Sequence, residues 1–156
     1  MRLTVYSDYA LRLLMYLAVR TDRLATIPEV AKAYDISANH LMKVVMKLGQ
    51  AGYIDTVRGR SGGMRLARPA STIGIGELIR LTEPGMEIVP CMQEGTKPCA
   101  LFRACRLKSA LERAQLAFLA VLDDYTLHDL TRAPGPMRAY LGIDAEGHLP
   151  RPEPAP

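Results

Sequence analysis

Residues 37–68 read SANHLMKVVMKLGQAGYIDTVRGRSGGMRLAR. Ser37 is a good helix cap, and behind it Leu41, Val44, Val45 and Leu48 recur at the i, i+3, i+4, i+7 spacing of one helical face, with Gly49 and Gly52 setting the end. The other face is left with Asn39, His40, Lys43 and Lys47. Tyr53–Val57 is then β-prone, the turn RGRSGG holds three glycines, and Met64–Ala67 can return as a second strand. The expectation is a helix followed by a β-hairpin with a basic tip.

Immediately upstream, Thr26 caps a short helix with Pro28 in its first turn, Ile27, Val30, Ala31 and Tyr34 on one side, and an end near Tyr34–Asp35. Two such helices joined at Asp35–Ile36 make a helix-turn-helix pattern, which by itself any two amphipathic helices can imitate. A basic hairpin directly after it turns the pattern into a winged helix. In that arrangement Ser37, Asn39 and His40 face base edges, Lys43 and Lys47 face phosphates, and Arg58, Arg60 and Arg65 of the wing reach phosphate or a narrow minor groove, the glycines letting the backbone approach DNA.

Further out, Ser7–Val19 reads as a helix that is apolar nearly all round, capped by Ser7 with Asp8 in its first turn. Its circumference suggests several neighbours, a second subunit among them. Ile73–Leu81 reads as a short helix and Met86–Pro98 as a loop. From Leu107 to Tyr125 the residues Leu107, Leu111, Ala114, Phe118, Val121 and Tyr125 form a heptad-like seam along one long helix, which lacks a sequential mate and so calls for a homodimer. Beyond Arg132 lie six of the eleven prolines with no sustained period, the composition of a disordered tail. The expected architecture is mainly α: a winged helix-turn-helix with a β-hairpin wing over 1–82, a cysteine loop over 83–106, a dimerisation helix region over 107–132 and a disordered tail over 133–156.

Composition agrees with one globular domain, since 49% of the 156 residues are hydrophobic and 23% charged. Disordered and collagenous chains are excluded, and no run nears the roughly 18 apolar residues of a membrane helix. The N-terminus shows neither an apolar stretch nor a small-residue cleavage site, so a soluble, cytoplasmic protein is expected. The net charge of +4 is uneven: residues 1–68 hold 11 Lys/Arg against 5 acids, which favours a polyanionic partner there.

Cys91, Cys99 and Cys105 follow the spacing C-x7-C-x5-C. An odd number of cysteines within one short stretch is a poor disulfide framework. Pro90 and Pro98 stand directly before two of them and are expected to hold the loop extended, turning the thiols toward one centre. Three thiolates suit an iron–sulfur cluster or another soft metal. Zinc with a fourth N or O ligand stays open, although there is no C-x2-C pair, and so do three unrelated thiols.

Taken together, the opening MRLT..SDYALR, the Ser37–Lys47 helix, the wing RGRSGGMRLARP, the IGELIR helix and the three cysteines resemble the winged-helix iron–sulfur regulators typified by IscR and NsrR. The resemblance covers residues 1–130. It implies a DNA-binding repressor rather than an enzyme, a homodimer on palindromic double-stranded DNA, and one cluster per subunit held by Cys91, Cys99 and Cys105. In the IscR branch the fourth ligand is a histidine three residues after the last cysteine, where this chain has Lys108. In the nitric-oxide-sensing NsrR branch it is an aspartate at the start of the first helix, given by the other subunit, and Asp8 of SDYALR matches it. Read from the residues alone, Asp8 is a helix-dipole acid beside a cap. The resemblance implies a [4Fe-4S] cluster ligated by Asp8 with Arg12 orienting the carboxylate, and a repressor released from DNA by nitric oxide, so that nitric-oxide-detoxification genes are derepressed. Two alternatives are a [2Fe-2S] regulator of cluster homeostasis and an iron–sulfur electron carrier, the second of which leaves the wing and recognition helix without purpose.

Overall fold

The computed structural model describes residues 2–93, 95, 96 and 99–143. The chain is mainly helical: α1 (Val5–Val19), α2 (Ile27–Tyr34), α3 (Ala38–Gln50), the hairpin β1 (Ile54–Val57) and β2 (Gly63–Leu66), α4 (Ile75–Thr82), α5 (Arg106–Asp123), α6 (Leu127–Leu130) and α7 (Pro134–Tyr140). This is a winged helix-turn-helix extended by a long C-terminal helix.

Helix α1 forms the centre. Its residues Ala10, Leu13, Leu14, Tyr16, Leu17 and Val19 are buried, and it packs against α2, α3, α4, α6, α7 and β2. The apolar circumference that suggested a second subunit is thus covered largely from within the chain. The expected cap was Ser7, but the helix starts three residues earlier: the Thr4 hydroxyl accepts the Ser7 N–H at 3.2 Å. Ser7 is fully buried and donates its hydroxyl to Thr82 Oγ1 at 2.8 Å, binding α1 to the end of α4. Glu83 secures the same junction by accepting the Thr4 N–H at 2.8 Å. Such buried hydroxyls persist because each has a partner.

The turn between α2 and α3 closes as a Schellman motif. Asp35 sits at φ 55° and the Ile36 N–H reaches back to the Ala31 carbonyl at 3.0 Å, a left-handed position that aspartate tolerates better than most residues. Helix α4 begins at Ile75, two residues later than expected, because Ile73 and Gly74 are drawn into bridges with the stretch after α5: Ile75 N–H donates to Tyr125 O at 2.9 Å and Leu127 N–H to Ile73 O at 2.8 Å. The same contacts end α5 at Asp123, short of Tyr125, so the last residue of the seam lies outside the helix. Thr126 and Asp129 then form a capping box that opens α6.

The expected disordered tail departs most from the structure. Residues 134–140 form α7, whose Arg138 donates to the Val19 carbonyl at 2.7 Å, while Arg20 donates to the Ile143 carbonyl at 3.1 Å. The first bond satisfies a carbonyl at the end of α1, and the two together hold the segment in place. A proline at the first helical position costs no hydrogen bond, which is why a proline-rich composition did not prevent a helix here. The rest of the expected tail, 144–156, lies outside the described residues.

One acid on α2 makes folding sensitive to pH. Glu29 accepts from the Arg23 guanidinium and from the Thr26 N–H and hydroxyl at 2.8 and 2.9 Å, and these bonds, Arg23 first, hold its pKa down to about 2. The stabilisation is therefore complete above the ordinary glutamate range near pH 4.5 and is lost as pH falls toward 2. Glu29→Gln is expected to cost on the order of 2 kcal/mol at pH 7. In urea titrations the gap to wild type should close between pH 5 and 2; a gap constant with pH would contradict the assignment.

Candidate nucleic-acid interface and cysteine loop

Helix α3 buries Leu41, Val44, Val45 and Leu48 and exposes Ser37, Asn39, His40, Lys43 and Lys47, as its periodicity implies. The Ser37 hydroxyl caps the helix through the His40 N–H at 3.5 Å. Two of the exposed residues lean toward α1. The Lys47 ammonium lies 4.8 Å from the centre of the Tyr6 ring, and the His40 ring is 6.3 Å from that of Tyr9. Burial raises the Tyr6 pKa above its ordinary value. The outer face also carries Met42, Met46 and Gln50, which the reading of polar residues passed over; their signal was available, because all three fall off the apolar stripe.

The wing is antiparallel in the register Ile54↔Leu66, Asp55↔Arg65, Thr56↔Met64, Val57↔Gly63. Arg58 and Arg60 lie exposed in the turn, with Gly59 at φ 112° providing the reversal. Arg65 is placed differently from the other two: it sits on β2 directly across from Asp55, with Nε 3.7 Å from the carboxylate. At the base of the wing, Tyr53 donates its hydroxyl to Glu77 of α4 at 2.7 Å and Arg68 stacks 4.2 Å from the Tyr53 ring centre while donating to Glu77 at 3.2 Å. Burial, then the bond to Glu77, pushes the tyrosine up to about 12; the same bond, with that from Arg68, lowers Glu77.

The glycines were expected to admit DNA to the backbone, but Gly63 has an internal task. Met64 exchanges both backbone hydrogen bonds with Ala25, at 2.8 and 3.0 Å, so an isolated antiparallel bridge ties the connection between α1 and α2 to the wing. A Cβ at Gly63 would stand 2.6 Å from the Ala25 carbonyl oxygen and 2.9 Å from Leu24 Cβ.

The cysteines lie unpaired along the segment before α5. Val89 is extended as a residue before proline should be, yet Cys91 itself stands in a one-turn 3-10 helix, Pro90–Met92, rather than in extended chain, because Pro90 starts that turn and Thr96 folds back to donate to the Pro90 carbonyl at 2.8 Å. The matching role of Pro98 lies outside the described residues. Cys99 is exposed; a second 3-10 turn, Phe102–Ala104, leads to Cys105, which caps α5 by accepting the Lys108 N–H at 3.4 Å. An open cavity of about 360 Å³ is lined by Cys91, Met92, Thr96, Phe102 and Lys108. Lys108 sits over the Phe102 ring at 4.5 Å and 3.5 Å from Glu112. Asp8 lies in the first turns of α1, 44% exposed, with Arg12 Nε donating to its carboxylate at 2.8 Å and the Arg12 guanidinium 5.7 Å from the Tyr34 ring centre. Among the described residues of this single chain no three His, Cys, Asp or Glu side chains gather into a metal-binding group, so the structure brings the expected ligands onto two surfaces without joining them.

A family model named Rrf2, described as an iron-dependent transcriptional regulator, matches residues 3–133. The chain belongs to the Rrf2 family. It is 49% identical over 133 residues, 85% of this chain and 91% of the relative, to the HTH-type transcriptional regulator NsrR of Bacillus subtilis. Among solved structures it resembles CymR, the global cysteine regulator of B. subtilis, with a TM-score of 0.68 at 25% identity over 85% of this chain and 97% of that one. T. potens IscR shares the fold at a TM-score of 0.68 and 22% identity, over 88% of this chain and 91% of the other. As an Rrf2 protein the chain is a DNA-binding transcriptional regulator rather than an enzyme. No described helix is long and apolar enough to cross a membrane.

Gly63→Ala should unfasten the wing from Ala25 and lower stability by about 1–3 kcal/mol through overpacking. Gly135→Ala, at a position with open space around it, serves as the control and should be neutral or slightly stabilising. Thermal melts of the two variants give the comparison; equal melting temperatures would show that the close approach carries no weight.

Proposed function

We propose that this Rrf2 protein is a homodimeric repressor that holds a [4Fe-4S] cluster through Cys91, Cys99, Cys105 and Asp8, and that nitric oxide is its signal. The observation that carries the reading is the donor set. Three unpaired thiols on one surface segment supply the soft ligands that iron–sulfur clusters need, and a half-exposed carboxylate oriented by Arg12 supplies a hard one. The donors therefore fit the group. Lys108 occupies the place of a histidine ligand and cannot serve as one while protonated. The Rrf2 match over residues 3–133 spans all four donors, and regulators named NsrR are among the relatives.

When bound, the cluster supplies iron sites that react with nitric oxide. The protein's part is mechanical. Cys91, Cys99 and Cys105 would hold the group through their sulfurs, and Asp8, a hard carboxylate, would be its weaker donor. With Asp8 given by the partner subunit, α1 of one subunit is fastened to the cysteine segment of the other. The face of α5 formed by Leu107, Leu111, Ala114, Phe118 and Val121 closes the dimer; Leu107 and Val121 stand 65% and 58% exposed in the single chain. The two α3 helices can then meet successive major grooves, about 34 to 36 Å apart, only in the orientation those contacts fix. Parting Asp8 from the thiolates frees that orientation and releases the operator.

Native mass spectrometry of anaerobically purified protein tests the reading directly. A dimer with one [4Fe-4S] per subunit is expected; a dimer with [2Fe-2S], zinc or neither would return the signal to question. Asp8→Ala should lose iron to a chelator at least about 10–100-fold faster, the scale that even outer-shell losses reach, and respond differently to nitric oxide. Wild-type behaviour in both assays would remove Asp8 from the ligand set.

For the DNA face, Arg60→Ala should weaken binding to all sequences and lower the salt slope by about 1, whereas Asn39→Ala or His40→Ala should shift preference at single base pairs by about 1–3 kcal/mol. Binding isotherms on specific and random duplexes at several salt concentrations separate the two behaviours. Identical effects from all three substitutions would refute the division between phosphate and base contacts.

A further inference from the structure

The outer face of α3 is polar and cationic except for two large apolar side chains, Met42 and Met46, which are 50% and 58% exposed. They lie one helical turn apart, so their side chains are neighbours and form a short apolar ridge. At about 100° per residue, Met46 falls with Asn39, Lys43 and Gln50 on the side opposite the buried stripe of Leu41, Val44, Val45 and Leu48, and Met42 falls on the adjoining flank. Neither belongs to the core, and neither belongs to the apolar face of α5.

The surroundings of the ridge select its occupant. Lys43 lies beside the ridge and Lys47 further round the same helix, and the wing that follows α3 carries exposed Arg58 and Arg60, so a second copy docking on this cationic part of the chain would bring like charges together, whereas a polyanion is attracted. The face is continuous with the helix-turn-helix of a DNA-binding family. Within a major groove the apolar group offered to a side chain is the C5-methyl of thymine. Methionine suits that contact, since its unbranched thioether can adjust to a methyl in more than one position. We propose that Met42 and Met46 are specificity-determining residues that read thymine methyl groups in the operator. This rests on α3 being the DNA-reading helix and adds an apolar component to the polar readout by Asn39 and His40.

The test begins with selection of the DNA itself. Duplexes enriched from a randomised pool by the anaerobically purified full-length protein are resynthesised with uracil in place of thymine, one position at a time, which removes the methyl and leaves base pairing intact. Fluorescence anisotropy at fixed salt should show about threefold to tenfold weaker binding at one or two positions in each half-site, the scale of one buried methyl. Met42→Ala and Met46→Ala should weaken binding to the thymine duplex by a similar factor and abolish the difference between thymine and uracil. Met46→Gln, which keeps length and helix propensity, should do the same. Lys43→Ala should lose affinity yet keep the thymine-to-uracil ratio. The proposal is overturned if wild type is indifferent to uracil at every position, or if the methionine variants keep the wild-type ratio; both results leave α3 as the reading helix. A pool that enriches no sequence overturns that reading along with the proposal.

Discussion

The burial of α1 is the constraint on which the rest of the molecule depends. A helix that is apolar over most of its circumference cannot lie on a surface; it must be wrapped. Six elements do this, from α2 and α3 on the DNA-binding side to α4, α6 and α7 behind, with β2 of the wing between them. The wrapping is oriented by polar contacts at its two ends. At the first, Thr4, Ser7, Thr82 and Glu83 join in hydrogen bonds of 2.8 to 3.2 Å, and at the second, Arg20 and Arg138 exchange bonds with the carbonyls of Ile143 and Val19. Apolar packing alone would allow α1 to slide or rotate among its neighbours. The buried hydroxyl pair and the reciprocal arginines fix one register, because any other would leave polar atoms unpaired out of water.

The DNA-binding part of the fold was legible in the sequence because its determinants are local. The stripe of α3 is set by spacing, its start by Ser37, the start of α2 by Thr26, and the hairpin by a glycine-rich turn between β-prone runs. The misreadings share a different cause, which is contact between distant residues. Ser7 has the chemistry of a cap and lies in a capping position by pattern, but its hydroxyl is engaged by Thr82, seventy-five residues away, and Thr4 caps in its place. Tyr125 keeps the heptad spacing, yet its carbonyl is taken by Ile75 and the helix stops before it. The prolines around α7 predict disorder by composition, while Arg138 and Ile143 dock that segment on the end of α1. In each case a local preference yields to a hydrogen bond that closes a long loop.

The geometry of the cysteine segment was not legible in the sequence. Spacing and residue type identify a soft donor set, but they do not specify the path of the local backbone, which meets its own hydrogen-bonding needs first. The segment accordingly forms two one-turn helices, with Thr96 bonded to the Pro90 carbonyl and Cys105 spent on capping α5. Asp8, on α1, is a separate matter, because it is held half-exposed by Arg12 in the first turns of that helix.

That placement gives α1 two working faces within the same two turns. Asp8 and Arg12 are part-exposed and paired with each other, while Tyr6 and Tyr9, in the same turns, lie against Lys47 and His40 of α3. A rigid helix cannot respond at one face without moving the other, since its hydrogen-bonded backbone transmits a tilt over a turn almost undiminished. Whatever Asp8 is tied to is therefore coupled to the orientation of α3 through a single packed element, without any change of fold. The coupling needs α1 to be stiff and its register unique, and the hydroxyl pair at one end and the paired arginines at the other provide both. Under the proposed function, the burial that makes α1 the centre of the core is the same property by which a ligand exchange at Asp8 would be felt at the DNA.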